Sequence, residues 1–327
     1  LGAGPSTSLG TGKVFVELTK PANRPELYYA LLPNTPFANE LLVKLAERLM
    51  VEERLGADEV PDVLAVVFSA NDYVGHRFGP YSEQVEDITL QTDALIARLF
   101  KFADERVGAG NYWVVLSGDH GVAPTLEQAR ARGIRAKNLM TPQLYQTIFK
   151  ALEVRWGNDE WLLAGGEGVV FNREALARRG VSLAEAAQVV GEAAMTVDGI
   201  MGWIASPEVR ASGAGMTGLP AGYAEAFGLS EYPGRVADVD FLLEPYTLIN
   251  GERGTTGHGT PHSYDTHVPL ILWGAPFRAG VYYDRVTPVD IAPTLAAALG
   301  ITPPSGANGR VLAEALRQPP AGSRCTD

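Results

Sequence analysis

The chain has five histidines, His76, His120, His258, His262 and His267, and all five fall in three short segments rich in glycine and aspartate. Histidines kept for packing would scatter over helices and surfaces. Imidazoles gathered beside carboxylates are what a His/Asp site for a divalent cation requires.

The first segment is Asp72-Tyr-Val-Gly-His76. A carboxylate and an imidazole four residues apart meet on one face of a single helical turn. Without further context such a pair is more often a solvated helix pair than a metal site. The second is Ser117-Gly118-Asp119-His120-Gly121. Neighbours on a strand point to opposite faces, so Asp119 and His120 can share a cation only if the flanking glycines allow a sharp turn. The plainer alternative is an Asx turn at a strand end.

The third segment runs from Gly257 to His267 and holds His258, His262, Asp265 and His267. Spacing does not fix which of its histidines would ligate. His258, between two glycines, has the least hindered approach. His262, Asp265 and His267 are candidates for groups that hold ligands in place, and His267, opening an apolar run, could equally be a core histidine.

These segments need strands and helices to place them. DVLAVVFS (Asp62 to Ser69) and YWVVLS (Tyr112 to Ser117) read as strands buried on both faces, and the first two chemical segments follow them. Ligands in open α/β sheets bind outside such strand ends. Between them lies a polar loop from Asn71 to Tyr81, and then a helix that Ser82 can cap, with Val85, Ile88, Leu95, Leu99 and Phe102 inward. Strand, loop, helix and strand in this order predict a βαβ unit. An earlier helix, about Asn39 to Leu55, presents Leu42, Leu45 and Leu49. Later come a helix near Leu183 to Ala194, a third strand in HVPLILWG (His267 to Gly274), and a helix from Thr287 to Gly300 with Pro288 at its start.

The predicted fold class is therefore α/β, a mostly parallel sheet sandwiched by helices. Residues 1–34 read as a flexible lead-in and the partial start of the core, and 35–122 as a catalytic core with the βαβ unit. Residues 123–239 read as an insertion or lid, partly core, and 240–327 as core with the C-terminal helix.

Composition narrows the function. At 327 residues and a net charge of −11, the chain lacks the basic balance that binding a nucleic-acid backbone demands. Positive potential for an anionic substrate would have to be local, and bound cations supply it. No apolar run reaches the roughly 18 residues of a membrane span. The start, LGAGPSTSLGTG, has neither the basic nor the apolar part of a signal peptide. The single cysteine, Cys325, permits no internal disulfide.

DYVGHRFGP, SGDHG and GHGTPHSYDTHVPLILWG, in that order, resemble the alkaline phosphatase superfamily. The likeness is to its phosphate-irrepressible alkaline phosphatases and type I phosphodiesterase/nucleotide pyrophosphatases, with support from TPFANE at Thr35 through DIAPTLAAALGI at Asp290 to Ile301. The resemblance implies an alkaline phosphatase-like fold and two zinc ions. Asp72, His76 and His258 would hold one ion, and Asp119 and His120 would supply two ligands of the other. Manganese or cobalt also suits such donors. It implies in-line displacement at phosphorus on a phosphate monoester or, alternatively, a diester, and export to the periplasm or cell exterior.

The pattern breaks before Asp72. The superfamily's second metal takes a further Asp, and its nucleophile is a Thr or Ser at a helix start downstream of that Asp's strand. Asp58 and Asp62 stand at the start of the first predicted strand, its wrong end, Thr35 precedes Pro36, and Ser6, Thr7, Ser8 and Thr11 lie in the lead-in. The economical expectation is the carboxyl-terminal portion of a longer hydrolase, inactive alone and lacking its nucleophile. Competing expectations are a non-catalytic metal-binding module, a sulfatase, and a structural domain with incidental histidines.

Overall fold

The computed structural model describes residues 29–163, 168–214, 219–232, 234–251 and 255–317. In chain order the helices and strands are α1 (Pro36–Glu52), α2 (Ala70–Phe78), α3 (Glu83–Arg106), β1 (Val114–Ser117), α4 (Leu126–Ala131), β2 (Lys137–Leu139) and α5 (Thr141–Trp156). There follow α6 (Arg173–Arg179), α7 (Leu183–Ala194), β3 (Ile200–Ala205), α8 (Pro207–Ala211), α9 (Ala221–Ser230), β4 (Val239–Leu243) and β5 (Thr247–Ile249). Last come α10 (Ser263–Thr266), β6 (Leu270–Trp273) and α11 (Ile291–Leu299). Two compact units divide the chain. The first is Leu1–Val74, Glu86–Gly121 and His267–Asp327, and the second is Gly75–Val85 and Val122–Thr266.

In the first unit α1 packs through Asn39, Val43, Ala46 and Met50. The buried Asn39 amide donates to Asn71 Oδ1 at 2.7 Å and Thr92 Oγ1 at 3.0 Å, tying α1 to the start of α2 and to α3. Strands β1 and β6 pair antiparallel, Val114 opposite Trp273 and Ser117 opposite Leu270, so β1 delivers its chain into Asp119 and His120. Near the end, Thr287 and Asp290 form a capping box, and Gly300 closes α11 in the left-handed conformation. Burial would push the Asp290 carboxyl up. Hydrogen bonds from the Thr287 and Arg310 backbones outweigh it and hold the group below its ordinary range.

The second unit is built on a continuous apolar core in which Trp161, Phe171, Val190 and Trp203 are fully or almost fully buried. Helix α7, capped by Ser182 with Glu185 completing the box, lies on β3. Gly191 makes that approach possible, because a Cβ there would collide with the Trp203 indole. Strands β3 and β4 pair antiparallel, and β2 and β5 pair parallel. Asp238 takes a fork from Arg173 at 2.8 and 2.7 Å and the Phe171 amide at 2.7 Å.

Several sequence expectations change. Asp62 to Ser69 forms no strand and has no ladder partner among the described residues, and its side chains alternate between exposed and half-covered. Among the described residues β1 pairs antiparallel with β6, and the parallel pair is β2–β5. An apolar run reports which side chains avoid water, but a strand also needs an edge to pair with, and that edge is remote in sequence. The loop expected at Asn71 to Tyr81 is largely helix α2. The α1 stripe chosen from the sequence is not the buried one: Leu45 and Leu49 are exposed, while Val43, Ala46 and Met50 are covered. The lead-in before Tyr29 and Cys325 lie outside the described residues. No described helix is long and apolar enough to cross a membrane.

Candidate metal centre

Helix α2 carries Asp72 in its first turn and His76 in its last. The carboxylate sits where the helix dipole favours negative charge, and the imidazole where it favours positive. The unit boundary falls between Val74 and Gly75, but the helix is continuous, so its own geometry sets Asp72 one turn from His76. Gly79 ends the helix at φ +77°, where a Cβ would run into Gln128 and Thr125. Gln128 Nε2 donates to the Phe78 carbonyl at 3.0 Å, so the helix end is firmly held.

His76 is clipped to Thr256 twice. The Thr256 amide donates to the His76 carbonyl at 2.9 Å, and His76 Nδ1 lies 2.8 Å from the Thr256 carbonyl. A carbonyl only accepts, so Nδ1 carries the proton and Nε2 the lone pair. That Nε2 faces His258 Nε2 at 3.1 Å, with ring centroids 4.8 Å apart. Asp72 stands one helical turn before His76 on the same helix, so its carboxylate is a further donor beside the imidazole. At zinc–nitrogen distances of about 2.0–2.1 Å, two nitrogens 3.1 Å apart subtend roughly 100°, close to a tetrahedral angle. The donor set and its geometry fit a zinc ion.

The second segment turns as the glycines allow. The His120 amide donates to Asp119 Oδ1 at 3.1 Å, and His120 Nε2 lies 3.6 Å from Asp119 Oδ2 and 3.9 Å from Asp72 Oδ1. His120 Nδ1 is 2.9 Å from the Gly121 carbonyl, so this ring too keeps its proton on Nδ1. Holding a ring by Nδ1–H on a backbone carbonyl fixes both tautomer and direction, as metal-bound histidines require. The Asp119 bond goes to the next residue's amide, not to the amide two residues on that defines an Asx turn.

The third segment is a braced loop. Asp265 Oδ2 accepts from the Thr260 amide at 2.8 Å and from its hydroxyl at 2.6 Å. The other Asp265 oxygen is buried without a hydrogen bond among the described residues. His262 is buried with both nitrogens engaged, Nε2 on the Leu243 carbonyl at 2.9 Å and Nδ1 by the Tyr223 hydroxyl at 3.2 Å. Those contacts make it a brace for the loop that presents His258. His267 is exposed three residues before β6, which removes its reading as a core histidine.

No credible nucleophile emerges among the hydroxyls weighed from sequence that lie in the described residues. Thr35 is buried and its hydroxyl donates to the Leu32 carbonyl at 2.7 Å. Asp62 accepts from the Gly56 amide and Asp58 from the Val60 amide, both ordinary turn bonds. Sequence reasoning missed Thr256, Thr260 and Tyr223. Thr256 acts on His76 from 180 residues away through its backbone, which no local pattern signals. Thr260 stands five residues before Asp265, a spacing from which the pairing could have been guessed.

The profile of the type I phosphodiesterase / nucleotide pyrophosphatase family matches residues 18–193, just over half of the chain. Alkaline phosphatase PafA of Elizabethkingia meningoseptica is 29% identical over 288 residues, covering 88% of this chain and 52% of that protein. Alkaline phosphatase PhoV of Synechococcus elongatus is 28% identical over 294 residues, covering 88% and 51%. The crystal structure of wild-type PafA superposes with a TM-score of 0.82 at 28% identity, over 91% of this chain and 56% of the other. The chain thus spans about half the length of the curated relatives it matches, and its α/β fold is that of an alkaline phosphatase. With the ordered histidine segments and their geometry, these matches make the chain a member of the type I phosphodiesterase/nucleotide pyrophosphatase family within the alkaline phosphatase superfamily.

Proposed function

We propose that the chain is the metal-holding part of a phosphate-ester hydrolase of the alkaline phosphatase type, acting on phosphate monoesters. The observation that carries this is the pair of Nε2 atoms 3.1 Å apart on His76 and His258, with His76 locked in the Nδ1–H tautomer by Thr256 and Asp72 one turn away. Asp72, His76 and His258 would hold one zinc ion. Asp119 and His120 would contribute to a second. The hydroxyl nucleophile and a further aspartate would come from outside this chain, which alone would be inactive. Residues 123–239 would serve as insertion and partial core, and the enzyme would work outside the cytoplasm.

Two bound cations supply a lowered pKa for the attacking group and stabilisation of the departing alkoxide in an in-line displacement. The chain's residues do the rest by position. The Thr256 and Gly121 carbonyls keep protons on Nδ1 of His76 and His120, so each ring presents a neutral lone pair. Asp72 and Asp119 would add negative charge that offsets the cations. The Asp265–Thr260 and His262–Leu243 bonds fix the loop before any ligand arrives, so little ordering remains to oppose binding.

A diesterase reading has one observation in its favour, the family profile itself. In a protein that also carries a nucleophile segment, comparing p-nitrophenyl phosphate with its bis-ester separates the two readings. For the metal site, zinc content after dialysis of this chain is the test. We expect retention by the unaltered chain, with His76→Ala and Asp119→Ala each weakening it by roughly a hundredfold or more, well beyond the effect of losing an outer hydrogen bond. Zinc absent, or unchanged by both substitutions, overturns the reading.

A further inference from the structure

Asn39 belongs to the segment TPFANE, which the metal centre as described leaves unused. It lies within α1 on the face that carries Val43, Ala46 and Met50, and it is fully buried. An apolar side chain would be the ordinary occupant of such a position. The Asn39 amide has two hydrogens, and both are engaged, one on Asn71 Oδ1 at 2.7 Å and the other on Thr92 Oγ1 at 3.0 Å. Thr92 Oγ1 in turn lies 2.7 Å from the Ile88 carbonyl and 3.0 Å from Asn71 Oδ1. A hydroxyl has one proton, and the Ile88 carbonyl is the nearer acceptor, so Asn39 is the donor that holds Asn71. Asn39 Oδ1 is buried without a hydrogen bond among the described residues. The opposite amide orientation would set that oxygen against Asn71 Oδ1, acceptor on acceptor. Donation to Asn71 therefore decides which way the amide points.

Asn71 is the second residue of α2 and stands next to Asp72. On the same helix Ala70 and Val74 are buried. Apolar burial is not directional: it sets how deep the helix lies and leaves it able to turn about its axis. A hydrogen bond at Asn71 removes that freedom. Successive side chains stand about 100° apart around a helix, so fixing Asn71 fixes the direction of the Asp72 carboxylate, whose Oδ1 lies 3.9 Å from His120 Nε2. The backbone bonds that open the helix, from the Asn71 amide to the Phe68 carbonyl and from the Tyr73 amide to the Ser69 carbonyl, are both 3.2 Å, the long end of the usual range. The bond from Asn39 is the closer tie.

We infer that Asn39 is a positioning residue for the metal centre: through Asn71 it sets the direction in which Asp72 presents its carboxylate to the cation. Thr92 on α3 completes the seat of the Asn39 amide. The inference deepens the proposed function and rests on it for what Asp72 meets.

The test titrates cobalt(II) into the chain, followed by its visible absorption, and measures hydrogen exchange on the metal-free chain. Asn39→Leu and Asn71→Ala should each weaken cobalt binding roughly tenfold, the lower end for groups that orient metal ligands. Together they should weaken it little more than either alone, because they break one link. Thr92→Val loses the bond to Ile88 but keeps Asn39 on Asn71, so it should lower the melting temperature and leave cobalt affinity within about twofold. With Asp72→Asn already in place, Asn39→Leu should add no further loss. In the metal-free chain Asn39→Leu should speed exchange at the Asn71 and Tyr73 amides several-fold. Asn71 is only half-buried, so Asn71→Ala, read at the Tyr73 amide, keeps the test open where Asn39→Leu does not fold. A loss of affinity in Asn39→Leu no greater than in Thr92→Val, the same loss persisting in Asp72→Asn, or unchanged exchange at these amides would each overturn the inference. A parent chain that takes up no cobalt would instead overturn the metal site, and exchange at the start of α2 would then decide the positioning by itself.

Discussion

The two units solve the burial problem differently. The second encloses Trp161, Phe171 and Trp203 in a core made from its own helices and strands. The first buries mostly small or polar groups along α1, α2 and α3, such as Asn39, Ala46, Ala70 and Thr92. It leaves Phe37, Leu41, Val63, Val67 and Trp273 partly or largely in water. Apolar content alone does not distinguish them, since α1 is as rich in leucine as any core helix. What differs is whether the partner surface lies within the described chain. The unit that completes its own core is the one whose stability can be read from its contacts.

That contrast breaks most readily at Trp203. Trp203→Ala should destabilise by about 3–5 kcal/mol, the range for deleting a buried aromatic, seen as a fall in the denaturant midpoint. Asp238→Ala should follow at about 2–3 kcal/mol, because it strands the buried Phe171 amide and the Arg173 fork together. A smaller effect concerns acid. Arg179 and Arg178 hold the Asp159 carboxyl down to about 2, so the stability this clamp contributes is present above the ordinary carboxylate pKa and fades as pH falls from about 4 through about 2. The melting difference between the parent and Asp159→Asn should shrink across that window. Smallest of all, Leu45→Ala on the outer stripe of α1 should change stability by no more than about 0.5 kcal/mol. A large loss there would mean that the stripe is covered within the isolated chain, and the contrast would fail.

How far the sequence reached follows the same division. Helices were legible as local chemistry: Ser82, expected as a cap, accepts from the Val85 amide, and helices stand near Leu183 to Ala194 and within Thr287 to Gly300. The pairing of strands was not, because β1 meets β6 across more than 150 residues and residues 62–69 meet no described strand. Asp72 and His76 were legible as one helical turn, although the loop expected around them proved to be helix. His258 could be preferred over its neighbours only by its flanking glycines. The structure adds the physical ground: His262 spends both nitrogens on Leu243 and Tyr223, while His258 turns Nε2 toward His76.

The central claim is that His76 and His258 face each other to hold a cation. Anomalous diffraction at the zinc edge from crystals of the chain grown with zinc tests it most directly. The account predicts a peak about 2.0–2.1 Å from Nε2 of both rings, with a carboxylate oxygen of Asp72 beside it. A peak on His262 or His267 instead, or none between His76 and His258 at saturating zinc, would contradict it.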